Sequence, residues 1–159
     1  MPNKSDVIRG SAVPVNIEAA DASGEKKGPP KFTATFYTGG AMNIEGWDYP
    51  VAIDLSNLEN GKTLVANLDH DRTKRVGNFV VANDGKTLVA NGTASARTPF
   101  RDEVVGSAED GYEWQASLEV QPHSGGVEFV KAGKTVSVNG QQLAGPLYVT
   151  RKGTLKGFA

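Results

Sequence analysis

The sequence predicts a mainly β fold with one helix. From residue 32 onward, short runs rich in Val, Leu and Thr recur at close intervals, which is typical of β-strands. The turn dipeptides Asn60-Gly61, Asp84-Gly85 and Asn139-Gly140 follow or separate such runs. Each predicts a hairpin, because both of its positions tolerate a positive φ. With 19 glycines and 38% hydrophobic residues, the composition favours a turn-rich β protein.

The first 31 residues differ from the rest of the chain. They contain no aromatic residue and four of the eight prolines, at positions 2, 14, 29 and 30. With so few large apolar side chains, this segment can bury only a small area, which does little to offset the conformational entropy lost on folding. We expect residues 1–31 to form a flexible N-terminal segment, with a short strand around Val13–Ile17, and residues 32–159 to form one β domain.

Apolar and β-branched residues predict the strands of that domain in order. The predicted strands cover residues 32–38, 51–55, 63–68, 75–82, 87–93, 112–120, 127–131, 134–138 and 147–151, with a last one starting at 154.

One helix is predicted between residues 97 and 111. Thr98 followed by Pro99 suits an N-cap and the first helical position. Val104 and Val105 fall on one helical face with Phe100, and a glycine at 111 offers a stop.

Composition excludes several classes of protein. The 17 basic residues nearly balance the 18 acidic ones, so the chain lacks the basic excess of a dedicated nucleic-acid binder. Without cysteine there is no disulfide scaffold, no Cys-ligated zinc site and no thiol nucleophile. No apolar run approaches the roughly 18 residues of a membrane span. We therefore expect a chain with no membrane or nucleic-acid partner, from a cytoplasmic compartment.

A repeated Gly-Lys-Thr triplet does not predict a phosphate-binding loop. It begins at Gly61, Gly85 and Gly133, but a P-loop needs a further glycine five residues earlier and a helix afterwards. Each triplet here leads into a predicted strand, so we expect no nucleotide cofactor.

Only two histidines, His70 and His123, are present. His70 is surrounded by Asp69, Asp71 and Arg72, and a neighbouring carboxylate can fix the tautomer of a general base. A solvated surface histidine in a turn is the alternative. A metal site from these neighbours is less favoured, because adjacent residues on an extended chain point to opposite faces.

Ser117 lies in a strand with strict alternation. Trp114, Ala116 and Leu118 share one face, and Ser117 and Glu119 lie on the other. A serine becomes a nucleophile only when an imidazole lies within hydrogen-bond reach. Taken alone Ser117 is one serine among many, and no Gly-x-Ser-x-Gly elbow supports an α/β-hydrolase.

Together, these stretches resemble the prohead maturation proteases of tailed bacteriophages, which are related in fold to herpesvirus assemblin serine proteases. The similarity rests on Leu68-Asp-His-Asp71, on Arg75-Val-Gly77, on the helix after Pro99 and on Trp114-Gln-Ala-Ser-Leu118. Residues 127–140 and 145–152 add to it, so that it spans residues 32–159.

The resemblance implies a β-barrel-like, herpesvirus-protease-like fold and a role for each matching residue. Ser117 would be the nucleophile and His70 the general base. Asp71 matches the acidic residue of the family's histidine loop, although it equally suits a loop cap, and Arg151 would support the oxyanion. The family's third catalytic residue lies beyond the position matched by Ala159, so we expect the domain to lack its C-terminal end. Either a nearby carboxylate substitutes, for which Asp69, Asp71 and Glu119 are the candidates, or the orienting residue is absent and this chain would be inactive.

The implied function is cleavage of scaffolding protein and major capsid protein, and of the chain itself, inside the immature phage prohead in the host cytoplasm. The N-terminal segment would be a pro-segment or a tether, and homo-oligomers are compatible with the family. The alternative is a non-enzymatic β-sandwich or barrel module of a virion, in which His70 and Ser117 need not meet.

Overall fold

The protein is mainly β with one α-helix, as the sequence predicts. The structure, a computed structural model, describes residues 7–10, 13–17 and 28–158. The strands are β1 Ile8–Arg9, β2 Val13–Pro14, β3 Asn16–Ile17, β4 Lys31–Tyr37, β5 Val51–Ile53, β6 Leu58–Asn60, β7 Leu64–Leu68, β8 Asp71–Asn83, β9 Leu88–Thr93, β10 Gln115–Ala116, β11 Leu118–Pro122, β12 Val127–Val130, β13 Thr135–Val138, β14 Gln141–Ala144, β15 Leu147–Thr150 and β16 Gly153–Phe158. Helix α1 covers Pro99–Glu109, and a short 3₁₀ turn covers Leu55–Asn57.

A large sheet carries both segments that the sequence singled out. Its strand order is β1-β11-β16-β7-β8-β9-β4-β3, with β6 also paired to β16. Strand β16 runs antiparallel to β11 and parallel to β7, and its Phe158 is in register with both Leu118 and Ala66. The strand that leads to His70 and the strand that follows Ser117 are therefore the two neighbours of β16. Within the described ranges the strand order is open, because no pairing joins β1 to β3.

A second layer covers one face of this sheet. It is the three-stranded sheet β12-β15-β5, and the hairpin β13–β14 packs against the other face of this small sheet, where Val138 clusters with Ala52 and Val149. One cluster of buried apolar side chains includes Phe36, Phe79 and Leu118 of the large sheet together with Val51 and Tyr148 of the small one. Burial of these side chains, each worth roughly 1.5–3 kcal/mol, holds the two layers together.

Helix α1 begins and is anchored as its sequence predicts. The hydroxyl of Thr98 accepts a hydrogen bond from the Arg101 backbone N–H at 3.1 Å, which is the N-cap contact. Val104 and Val105 are buried against the sheet. The indole N–H of Trp114 donates to the Val104 carbonyl at 2.9 Å, so the chain leaving the helix is tied back to it.

Two of the three predicted turn dipeptides close hairpins, and the third does not. Asp84-Gly85 connects β8 to β9, and Asn139-Gly140 connects β13 to β14 with φ of 54° and 77°. The prediction of a hairpin at Asn60-Gly61 is wrong: β6, which precedes it, pairs in parallel with β16 instead of with β7. Local turn chemistry favours a reversal but does not select the partner strand.

The N-terminal segment contributes strands where it is described. β1 pairs with β11, β2 with β10 and β3 with β4, so the single strand predicted around Val13–Ile17 is divided between two partners. Ile8 is fully buried in the core. The flexibility predicted for residues 1–31 concerns mostly residues 1–6, 11–12 and 18–27, which lie outside the described part of the chain. Among the described residues, no helix has the length and apolar character to cross a membrane.

Candidate active site

His70 is presented at the tip of a tight hairpin between β7 and β8. Leu68 and Asp71 pair across the turn, and the two residues between them, Asp69 and His70, have φ of 55° and 56°. Two successive positive φ angles are the signature of a type I′ turn, which matches the twist of the flanking strands. The sequence places His70 among charged residues after a predicted strand. The tight turn found here holds the imidazole in a more defined direction than a longer loop would.

Ser117 lies between the short strand β10 and strand β11, and burial follows the predicted alternation. Ala116, Leu118 and Val120 are at most 1% exposed and face the core. Ser117 is half-buried, and Glu119, although on the face away from the core, is only 8% exposed. A charged residue buried to this degree needs a partner.

The partner of Glu119 is His70. The Nδ1 atom of His70 lies 3.5 Å from Oε2 of Glu119, with 21% and 11% of the two side chains exposed. The other carboxylate oxygen of Glu119 lies 3.7 Å from Nη2 of Arg9. Among the described residues, no hydrogen-bond partner reaches the buried Nδ1 atom. A carboxylate beside Nδ1 favours the tautomer with the proton on Nδ1, which leaves Nε2 free to accept a proton.

Among the described residues Ser117 and His70 are linked only through Glu119, which contacts His70 and follows Ser117 by two residues. Ser117 precedes Glu119 by two residues on the same face of the strand, which corresponds to about 7 Å along the chain. No hydrogen bond between Ser117 and His70 occurs in the described structure, and such contacts in ligand-free enzymes often tighten only when substrate binds.

Asp71 faces its own strand. Its carboxylate accepts hydrogen bonds from the Thr73 hydroxyl at 2.6 Å and the Thr73 backbone N–H at 2.9 Å. These bonds hold the pKa of Asp71 below its usual value. Its contacts are those of the loop cap named above as the alternative role, and Glu119 is the carboxylate that faces His70.

Arg151 is engaged by two carboxylates at the end of β15. Its Nε atom donates to Glu128 at 2.8 Å, and its Nη1 atom donates to Asp54 at 3.0 Å. Burial lowers the pKa of the guanidinium, but these hydrogen bonds outweigh burial and raise that pKa. In the described part of the chain, Arg151 has no ion pair with Glu119 and no hydrogen bond to Ser117.

A cleft of about 550 Å³ opens beside His70, and its lining was not predicted from sequence. It is lined by His70, by Arg9 and Gly10 of the N-terminal segment, and by Asn43 and Glu45 of the loop before β5. No pattern in the sequence signals this lining, because it depends on the pairing of β1 with β11. Its lining carries both signs of charge, on Arg9 and Glu45.

The second histidine has different partners. Nε2 of His123 lies 2.7 Å from the Thr154 hydroxyl and 3.7 Å from Glu59. No group of three or more His, Cys, Asp or Glu residues within the described ranges is arranged to hold a metal ion. His123 is therefore a matched control for experiments on His70.

Comparisons with known proteins return no relative of this chain: no family model, no curated protein and no solved structure matches it. A proposal about its function therefore depends on the contacts described above and on the motifs in its sequence.

Proposed function

We propose that the protein is a serine endopeptidase with Ser117 as nucleophile, His70 as general base and Glu119 as the carboxylate that orients His70. The contact between His70 Nδ1 and Glu119 Oε2 at 3.5 Å carries this proposal. It joins the one histidine of the Asp-His-Asp turn to β11, the strand that begins directly after Ser117, through a carboxylate that is nearly buried.

The proposed chemistry uses the two ring nitrogens of His70 for different tasks. Nε2 takes the proton of the Ser117 hydroxyl while Oγ attacks the carbonyl carbon of the peptide. The imidazolium that forms is stabilised by Glu119 and gives its proton to the departing amine, which leaves an acyl-enzyme. A water molecule, activated by the same imidazole, then releases the acyl group and regenerates Ser117.

The resemblance to prohead proteases supplies the proposed substrates. We propose that the domain cleaves scaffolding and major capsid proteins, and itself, within the immature phage head, and that its fold is related to the herpesvirus proteases. The order of the elements supports this: the histidine hairpin β7–β8 is followed by β9, helix α1 and then the strand that bears the serine. We propose Arg151 as a support for the oxyanion. In this role its guanidinium would have to leave Glu128 or Asp54.

Labelling with a fluorophosphonate probe tests the proposal directly. The full chain should be labelled, Ser117→Ala should abolish labelling, and His70→Asn should reduce its rate by at least 10²-fold, since either change removes base-activated attack. Glu119→Gln should slow labelling by about 10² to 10⁴-fold, because the amide no longer stabilises the imidazolium.

Matched substitutions elsewhere provide the controls. Ser137→Ala removes an exposed serine of β13, and His123→Asn removes the other histidine, so both should leave labelling unchanged. Labelling that persists in Ser117→Ala would overturn the assignment of the nucleophile. A folded chain that is never labelled would favour the non-enzymatic virion module instead.

A further inference from the structure

We propose that the edge formed by β10 and β11, on either side of Ser117, is a binding site for an extended peptide, and that the protein's own N-terminal segment occupies this site. The preferred peptide has a branched apolar residue, then a basic residue, then glycine. Only the consequence for access to Ser117 rests on the proposed function; the binding site itself does not.

The N-terminal segment lies antiparallel along both sides of Ser117. Arg9 is in register with Glu119, and the Gly10 N–H donates to the Leu118 carbonyl at 2.8 Å. On the other side of the serine, Val13 is in register with Ala116. The two neighbours of Ser117 are therefore both covered by the segment. Residues 11 and 12, which join these two stretches, lie outside the described ranges.

The covered edge is one that an added peptide strand can use. β1 ends the strand order of the large sheet, and the opposite edge of β11 is already paired with β16. Displacement of β1 would leave a row of backbone N–H and C=O groups of β11 without partners, which is the feature that recruits an extended peptide. Because β1 contains only two residues, its pairing is short enough to open locally.

Three side-chain positions define which peptide fits this edge. Ile8 is fully buried, so the site accepts a branched apolar side chain there. Arg9 lies 3.7 Å from Glu119, which favours a basic residue. A Cβ atom at Gly10 would lie 2.8 Å from the Leu118 side chain and 3.3 Å from the Met42 sulfur, so this position requires glycine.

The basic position is linked to the candidate site through a shared carboxylate. Glu119 faces Arg9 with one oxygen and His70 with the other. A peptide bound at this edge therefore places its basic residue on the same group that orients the imidazole. While the N-terminal segment is bound, it occupies the place of such a peptide and limits access to Ser117.

Peptide binding to a catalytically silent chain tests the site. In a Ser117→Ala background, the additional change Gly10→Val should displace the segment by its clash with Leu118. A fluorescent peptide with the sequence of residues 7–17 should then bind, measured by anisotropy, at least tenfold more tightly than to the Ser117→Ala chain alone. Peptides that carry Gly10→Val or Arg9→Glu should bind at least tenfold more weakly than the parent peptide.

A second variant covers the case in which Gly10→Val does not fold. Arg9→Glu in the protein removes the ion pair between Arg9 and Glu119. Because the Arg9 side chain is 58% exposed, this change should weaken the pairing of the N-terminal segment with β11 without disturbing the core. Lys131→Glu, at an exposed position after β12, is the charge-matched control and should not admit the peptide. If neither displaced variant binds the peptide, the strand site is wrong.

A reversible lock separates the site from the proposed activity. The register of β1 and β11, carried one residue further, places Val7 opposite Gln121. Since the chain has no cysteine of its own, Val7→Cys with Gln121→Cys should form a single disulfide. Oxidation should slow fluorophosphonate labelling of Ser117 at least tenfold, and reduction should restore it. Equal labelling rates would overturn the occlusion of Ser117, whereas peptide binding without any labelling would leave the strand site standing and refute the proposed function.

Discussion

Asn139 should contribute strongly to stability, because its side chain connects three separate elements. Its amide nitrogen donates to the carbonyls of Gly39 at 3.0 Å and Ile53 at 2.7 Å, and its amide oxygen accepts from the Leu55 N–H at 2.9 Å. Its backbone has φ of 54°, which asparagine tolerates better than alanine does. We therefore consider the substitution Asn139→Ala.

The expected loss follows from these contacts. Three hydrogen bonds with a net worth of about 0.5–1.5 kcal/mol each give about 1.5–4.5 kcal/mol. Alanine in the left-handed region adds about 1 kcal/mol. The free energy of unfolding should therefore fall by about 2.5–5.5 kcal/mol, a large share of the roughly 5–15 kcal/mol typical of a domain.

Urea unfolding followed by tryptophan fluorescence measures this loss. Asn139→Gly removes the same side-chain bonds without the backbone penalty, so it should be about 1 kcal/mol more stable than Asn139→Ala. Asn60→Ala, in the dipeptide that closes no hairpin, should cost less than about 1 kcal/mol, since its side chain bonds only the adjacent Gly61 carbonyl. A loss below 1 kcal/mol for Asn139→Ala would refute the structural role assigned to the side chain.

Three further predictions follow from packing and charge. Gly77→Ala would place a Cβ atom 1.9 Å from the Thr93 carbonyl oxygen and should lower thermal stability sharply. Gly106 has open space around it, so Gly106→Ala should raise the free energy of unfolding by about 0.5–1 kcal/mol. Circular dichroism measures both effects. Burial raises the pKa of Tyr37 to about 12, so its phenol should ionise last in an ultraviolet titration, and up to about 2.7 kcal/mol of stability should be lost between pH 10 and 12 in the wild type but not in Tyr37→Phe. Burial alone would raise the pKa of Asp54, but the hydrogen bonds that its carboxylate accepts outweigh burial and lower the pKa. The stabilising effect of the carboxylate is therefore complete above its unfolded pKa and is lost as pH falls through its folded pKa. The stability difference between wild type and Asp54→Asn should shrink below about pH 4, and a constant difference would contradict this assignment.

Local signals in the sequence predicted those elements whose structure is decided locally. Thr98-Pro99 marks the start of helix α1 because capping and fixed φ act within one turn. Asp84-Gly85 and Asn139-Gly140 close hairpins between strands that are adjacent in sequence. The wrong hairpin prediction at Asn60-Gly61 shows the limit of such local signals. Strand β6, which precedes this dipeptide, pairs with β16, a segment far along the chain.

The candidate site shows the same division. Alternation along the strand predicted correctly that Glu119 lies on the face opposite Leu118, and Glu119 was one of three carboxylates named as candidates for the orienting residue. Its contact with His70 could not be read from the pattern, because Asp71 is closer in sequence while Glu119 is closer in space. The role of Arg9 was also hidden, since the pairing of a two-residue strand leaves no periodic signal.

The position of β16 between β7 and β11 has a consequence for the order in which the protein matures. The two segments that carry His70 and Ser117 have no direct pairing with each other and are aligned by a strand that is synthesised after both. During translation, the hairpin β7–β8 can form early, but its imidazole meets Glu119 only once residues 153–158 have emerged and docked. A nascent chain would therefore pass most of its synthesis without the contact between His70 and Glu119, so that the function proposed for these residues would begin only after the chain has folded.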